Sequence, residues 1–143
     1  MAEALAQARA AAARDEAPIG AVVVDAQGRI VAAAGNRTRE LADPTAHAEM
    51  LAIREACARL GAERLAGCDL HVTLEPCPMC AGAISHARIR RLYYGAQDPK
   101  GGGVAHGARV FSHPTCLHVP EVYDGMGASE AAALLRGFFA AKR

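Results

Sequence analysis

His47, Glu49, Cys77 and Cys80 supply an imidazole, a carboxylate and two thiols in two short runs, His47-Ala48-Glu49 and Pro76-Cys77-Pro78-Met79-Cys80. One histidine and two cysteines are the side chains that hold zinc. A structural zinc site closes with four protein ligands, whereas three leave a tetrahedral ion one position for water. Zinc lowers the pKa of such a water from about 15.7 to about 7, so hydroxide is available near neutral pH. Glu49 is then better used beside the metal than on it, taking a proton from the water and delivering it to a substrate. That role calls for a partly dry pocket, because burial lifts a carboxylic acid toward the working pH.

Spacing supports one site. Cys77 and Cys80 are three residues apart, which at the start of a helix places them about 60° apart on one side. Free N–H groups at a helix N-terminus favour the thiolate, and Pro76 and Pro78 restrict the backbone that carries it. His47 and Glu49 are harder to reconcile. Two residues apart in a regular helix they would diverge by about 200°. They can share a site only where a helix is just beginning, and Pro44 and Thr45 upstream suit that. A lone Cys-x-x-Cys could also be a redox pair or half of a structural zinc site, with His113 and Cys116 as further ligands. The glutamate beside His47 has no task in a closed site, which favours catalysis. Taken singly, His71, His86, His106, His113 and His118 read as surface or core histidines.

Other elements must hold these pieces in place. The alanine-rich opening predicts a helix over 2–14, and Glu3, Arg9 and Arg14 break the apolar run a signal peptide needs. Strands are expected over 19–24 and 29–34, joined by a turn at 25–28 and ended by Gly35. Residues 36–43 are polar and irregular. Ala46, Met50, Ile53, Cys57 and Leu60 recur at steps of four and three, predicting a helix. Asp43 and Pro44 would start it, Gly61 would stop it, and Cys57 would be a buried thiol on its stripe. A strand over 69–74, a helix over 79–86 and a strand over 89–94 follow. Residues 98–103 are too rich in glycine for regular structure. A fifth strand or short helix is expected within 104–119. The chain closes with a helix from about Ser129, carrying Ala131, Leu134, Leu135 and Phe138 on one face. Helices alternating with strands imply a layered α/β sheet.

The chain of 143 residues fits one domain, expected over 1–143, with room for a real core. Its 16 basic and 15 acidic side chains give a net charge of +1, which excludes the strongly basic balance of a general nucleic-acid binder. Any such contact must come from local groups: Arg88, Arg90 and Arg91; Arg37 and Arg39; Lys100; or the tail Arg136, Lys142 and Arg143. Each cluster alone reads as a solvated face. Five cysteines are an odd number without the spacing of a disulfide scaffold, which suits a reducing cytoplasm. No apolar stretch is long enough to cross a bilayer.

These residues carry a family resemblance. His-x-Glu followed by Pro-Cys-x-x-Cys is the signature of zinc-dependent nucleobase deaminases. The runs Pro44-Thr45-Ala46-His47-Ala48-Glu49 and Thr73-Leu74-Glu75-Pro76-Cys77-Pro78-Met79-Cys80-Ala81-Gly82-Ala83 resemble the bacterial tRNA-specific adenosine deaminases. So do Pro18-Ile19-Gly20-Ala21-Val22, Gly35-Asn36-Arg37, Arg88-Ile89 and Gly95-Ala96-Gln97-Asp98-Pro99-Lys100, and the likeness runs from about Leu5 to Arg143. It implies a three-layer α/β/α cytidine-deaminase-like fold with a central mixed sheet of about five strands. It implies one Zn2+ per subunit on His47, Cys77 and Cys80, with Glu49 catalytic, in a homodimer. The reaction implied converts adenosine to inosine at the wobble position of a tRNA anticodon. Asn36 would hydrogen-bond the target purine and the Ala48 backbone would lie against it. Asp98, Lys100, His113, Phe138, Phe139 and Arg143 would lie near the anticodon stem-loop. Such a loop is single-stranded, so its base splays outward at low cost. Pro78 between the cysteines also occurs in relatives resembling free guanine deaminases, so a free purine base is an alternative substrate. A zinc-stabilised binding module without catalysis is the alternative of a different class.

Overall fold

The computed structural model describes residues 1–142. Its elements are α1 (Ala2–Ala13), β1 (Gly20–Val24), β2 (Ile30–Gly35), α2 (Ala48–Leu60), β3 (Asp69–Leu74), α3 (Pro78–His86), β4 (Arg91–Ala96), a 3-10 turn (Val110–Ser112), β5 (Glu121–Tyr123) and α4 (Ala128–Ala141). The strands form a single five-stranded sheet in the order β2-β1-β3-β4-β5. β1 runs antiparallel to β2 and β3, while β3, β4 and β5 are parallel. Asp25 makes the first reversal, its Oδ1 accepting the N–H groups of Gln27 and Arg29 at 2.9 Å each. The parallel pair β3 and β4 needs a crossover, which α3 supplies.

Strand alternation gives the sheet two unlike faces. Ala21, Val23, Leu70, Val72, Leu92 and Tyr94 form the core with α2 and α3 on one side. Gly20 and Gly95 receive α1 and α4 on the other. This is the expected mixed sheet between two helical layers. α1 buries Ala4, Leu5, Ala8 and Ala11, and a Cβ at Gly20 would stand 1.9 Å from the Ala4 carbonyl oxygen. Backbone lies on backbone there, so small residues replace bulky ones as the packing device.

α2 departs from the sequence expectation twice. It buries Ala48, Glu49, Ala52, Ile53 and Ala56, while Cys57 is half-buried and Leu60 is exposed. The buried stripe is mostly alanine, which contributes little to an apolar periodicity, so the larger residues pointed to a neighbouring face. The helix also begins later than Asp43 and Pro44. Asp43 Oδ1 accepts the Thr45 N–H at 2.8 Å and its hydroxyl at 2.7 Å, a side-chain turn that keeps this stretch out of the helix. β4 starts at Arg91, with Ile89 already buried ahead of it. The short helix expected within 104–119 is the Val110–Ser112 turn, and the fifth strand lies beyond it at Glu121–Tyr123.

One edge of the sheet gathers the chemistry. Gly20 pairs with Gly35 and Leu74 pairs with Ala96, so β2, β3 and β4 all end on the same side. The segments leaving that side carry Asn36, Cys77 and Asp98. Open α/β sheets bind ligands beyond the carboxyl ends of their strands. No helix among the described residues is long and apolar enough to cross a membrane.

The close approach of α1 to β1 has a measurable signature. Gly20→Ala should destabilise the fold by about 1–3 kcal/mol, the usual cost of overpacking. Gly137→Ala in α4 meets nothing within 4 Å and should gain up to about 1 kcal/mol from helix propensity. Urea unfolding of both variants checks the opposite signs, and a neutral Gly20→Ala would refute the tight seam.

Candidate active site

α2 and α3 both begin at the site, and each offers its N-cap residue to it. His47 caps α2 with φ −71° and ψ 152°, and Cys77 caps α3 with φ −70° and ψ 170°. Both caps are extended, so each side chain leaves the backbone before the helix starts to turn. This removes the conflict between His47 and Glu49: the histidine precedes the helix and the glutamate sits in its first turn. Pro78 takes the first helical position, where its missing N–H costs nothing.

His47 Nδ1 lies 3.6 Å from Cys77 Sγ and 3.5 Å from Cys80 Sγ. All three donor atoms fall within 4.8 Å of one another. A tetrahedral zinc with bonds of about 2.05 Å to nitrogen and about 2.3 Å to sulfur holds those atoms about 3.5 Å apart. The cluster therefore fits zinc in donor type and in spacing. Among the described residues no further His, Cys, Asp or Glu donor joins it. His113 donates from Nε2 to the Ala108 carbonyl at 2.6 Å, and Cys116 Sγ donates to the His118 carbonyl at 3.2 Å. Both line a cleft of about 250 Å³ beside Ser85 and His86, at the opposite end of α3 from the ligands.

The electrostatics match the donor set. Hydrogen bonding from Cys80, and then against burial from His47, holds the Cys77 thiol down at about 4. Cys80 is pushed up, because it keeps the proton it shares with Cys77 and because it is buried. The bond to Cys77 raises His47 above the ordinary histidine value. Burial pushes the Glu49 carboxyl up, and its side chain lies within hydrogen-bonding reach of Cys80. Hydrogen bonding thus favours the thiolate at Cys77 and the cation at His47, and together with burial it favours the thiol at Cys80.

Flanking residues are ordered by buried carboxylates. Glu16, almost wholly buried, accepts the N–H of Glu40 at 2.8 Å and of Arg39 at 3.1 Å, and the Asn36 amide at 3.5 Å. Asn36 is itself buried and donates to Thr38 Oγ1 at 3.1 Å. Ala48 is the fully buried first residue of α2. Asp98 leaves β4 and accepts the Gly101 N–H at 2.9 Å. Phe138 and Phe139 meet edge to face at 5.2 Å near the end of α4. Lys142 pairs with Asp15, which also pairs with Arg39 at 2.7 Å, so the end of α4 is tied to the segment carrying Asn36. Arg143 lies outside the described residues.

The basic clusters shrink on inspection. Arg90 grips Asp69 with two bonds of 3.0 Å, Arg91 meets Glu121 at 3.1 Å, and Arg37 pairs with Glu40. Among the described residues no ion pair engages Lys100 or Arg88. Sequence reasoning missed the structural work of Glu16, Glu75 and His106. Glu75 carries a usable signal, a carboxylate at the exit of an apolar strand just before a metal ligand. Glu16 carries none.

A mixed sheet between helical layers, with an open His-Cys-Cys metal site and a buried carboxylate beside it, defines the class: a zinc-binding deaminase. Residues 1–96 match the family described as the cytidine and deoxycytidylate deaminase zinc-binding region. The tRNA-specific adenosine deaminase of Agrobacterium fabrum is 66% identical over 140 residues, spanning 98% of this chain and 91% of that protein. The chain belongs to the tRNA-specific adenosine deaminase family within that class. A structure solved in a study of A-to-I editing by tRNA:A34 deaminases at the wobble position superposes with a TM-score of 0.92 at 65% identity, covering 94% of this chain and 97% of that one. Guanine deaminase from Nitrosomonas europaea shares the fold with a TM-score of 0.83 at 28% identity, covering 97% and 82%.

Metal binding must expel the protons that the cluster retains. Titrating zinc into metal-free protein at pH 7 should release about one to two protons, from Cys80 and His47, and affinity should rise with pH. Calorimetry in buffers of different ionisation enthalpy reads that number, and a value near zero would contradict the protonation pattern.

Proposed function

We propose that the protein hydrolytically deaminates adenosine to inosine at the wobble position of a tRNA anticodon stem-loop. The observation that carries this reading is the buried Glu49 beside a three-donor zinc site, in a chain 66% identical to a tRNA-specific adenosine deaminase. When bound, one Zn2+ per subunit supplies Lewis acidity and an activated water. With zinc held by His47, Cys77 and Cys80, Glu49 would take one proton from the water and pass it to a ring nitrogen as the water oxygen adds to the amino-bearing carbon, then take the second proton from the new hydroxyl and give it to the amine as the C–N bond breaks. Water is consumed and ammonia is released. Burial raises the Glu49 carboxyl above its ordinary value, the direction a proton shuttle near neutral pH needs.

The remaining residues bind and orient. Asn36 holds the purine by its side-chain amide, with Glu16 fixing the segment behind it. The Ala48 backbone lies against the base at the start of α2. Asp98, Lys100, His113, Phe138, Phe139 and Arg143 meet the anticodon loop around it. A splayed base reaches a site beyond the strand ends without a duplex being opened. The whole chain, 1–143, acts as one deaminase domain. It works as a homodimer in the cytoplasm: all five cysteines are free thiols, and the exposed Met79, Leu117 and Val119 offer surface for a second copy to cover.

Pro78 between the two cysteine ligands, together with the likeness to guanine deaminase, favours a second reading, in which the substrate is a free purine. A mass assay separates the two. Zinc-loaded protein should convert a stem-loop with adenosine at the wobble position and leave free guanine, adenine and cytidine unchanged. Conversion of guanine alone would replace the RNA reading. Glu49→Gln should keep its zinc and lose about 10²–10⁴ in kcat, the usual worth of a proton shuttle. Near-normal turnover by that variant with full metal content would remove Glu49 from the reaction.

A further inference from the structure

We propose that Glu75 is a positioning residue for RNA binding: its buried carboxylate seats the loop 98–106 on the metal-bearing turn and so sets where Lys100 and Asp98 stand. The inference rests on the RNA reading above.

Glu75 follows the last residue of β3 and is 2% exposed. Its Oε1 accepts the Asp98 N–H at 3.0 Å and the imidazole Nδ1–H of His106 at 2.7 Å. Its Oε2 accepts the N–H groups of Val104 at 3.2 Å, Ala105 at 3.0 Å and His106 at 3.1 Å. Five donors from one loop thus converge on one carboxylate. Burial alone would push this group up, and the converging donors outweigh it, so its pKa lies below the ordinary glutamate value. A loop lying free in water would leave these N–H groups to solvent. Here they are spent on a single side chain, which fixes the loop relative to β3.

The same loop is clamped from its other side. Gly103 N–H donates to the Pro76 carbonyl at 2.8 Å, and Val110 N–H donates to the Gly103 carbonyl at 2.8 Å. A Cβ at Gly103 would stand 2.5 Å from Pro78 N, and one at Gly102 would stand 2.2 Å from Glu75 Oε2. Glycine is needed at both positions: backbone of Cys77 and Pro78 fills the space at Gly103, and the Glu75 carboxylate with the Asp98 carbonyl fills it at Gly102. Inside the loop, Asp98 Oδ1 accepts the Gly101 N–H at 2.9 Å and the Lys100 N–H at 3.3 Å. The path from Cys77 through Glu75 to Asp98 and Lys100 is therefore bonded throughout, with no regular element in it. It ends at Lys100, a cation without an ion pair among the described residues. Glu75 touches neither the donor cluster nor Glu49 in any bond described. Its loss should therefore be felt in RNA affinity before chemistry.

The test is Glu75→Gln, which keeps the volume but sets an NH2 group against N–H donors. Zinc content per chain should be unchanged. KM for the stem-loop should rise at least about tenfold and kcat fall less than about threefold. The salt dependence of log(1/KM) should flatten by about 0.7–1, the loss of one phosphate contact. Adding Lys100→Ala should not flatten it further. Gly102→Ala should reproduce the KM defect from the opposite side. Hydrogen exchange of peptides covering 98–106 should quicken at least about tenfold in either variant, and this readout needs no RNA. Unchanged loop protection, or an unchanged KM and salt slope, would overturn the proposal. So would a loss of kcat and zinc together, which would make Glu75 a support of the metal turn alone. A wild-type protein inactive on the stem-loop would refute the RNA reading instead, leaving loop protection to decide the seating role of Glu75.

Discussion

Two helices have to start at the same point. Because His47 and Cys77 are the N-caps of α2 and α3, the metal cluster exists only if both helix N-termini converge on one side of the sheet. That requirement propagates outward. Both helices must lie on the same face, close together, and both must be entered from the edge where β2 and β3 end. The alanine stripe of α2 allows the close approach, since Ala48, Ala52 and Ala56 put little between helix axis and strand. Convergence also has an electrostatic return. Each N-terminus carries partial positive charge on its unsatisfied N–H groups, and two of them face two thiol ligands and the Glu49 carboxyl.

Irregular chain around the site is ordered by a repeated device. On one side Glu16 collects donors from residues 36–40, and on the other Glu75 collects donors from residues 98–106. Backbone N–H groups need partners wherever water is excluded. Helices and strands provide those partners at the cost of a fixed shape. A buried carboxylate provides several at once and leaves the path of the chain free. Segments that must present side chains to a ligand can therefore be both irregular and rigid.

How much of this could be read beforehand varies with the physics of each residue. The donor cluster was readable because few chemistries want a histidine, two cysteines and a spare carboxylate at that spacing. β3 was readable to the residue, since Asp69-Leu70-His71-Val72-Thr73-Leu74 has strong strand character and sharp ends. The start of α2 was misjudged because Asp43 and Pro44 look like a helix opening, and the competing Asp43 turn depends on how Thr45 folds back. Its buried face was misjudged because alanine hardly registers as apolar. The short β5 escaped because three exposed residues carry no burial pattern and take their shape from pairing with β4. Glu16 could not be seen at all: its partners lie twenty or more residues away, and two of the three are backbone N–H groups. One basic cluster dissolved for a related reason: the acidic partners of Arg90 and Arg91, Asp69 and Glu121, come from other strands.

The family match closes at Ala96, the last residue of β4. Every donor to the metal lies before that boundary, and Asp98, Lys100, His113 and the paired phenylalanines lie after it. The residues proposed for the reaction thus precede this boundary together with Asn36 and Ala48, while the other residues proposed to meet the RNA follow it. The guanine deaminase shares the fold at 28% identity over 97% of this chain, so the likeness runs through both stretches. The boundary is not free of terms, however. Whatever follows β4 inherits Glu75 from the first stretch, and must arrive with N–H groups to meet it.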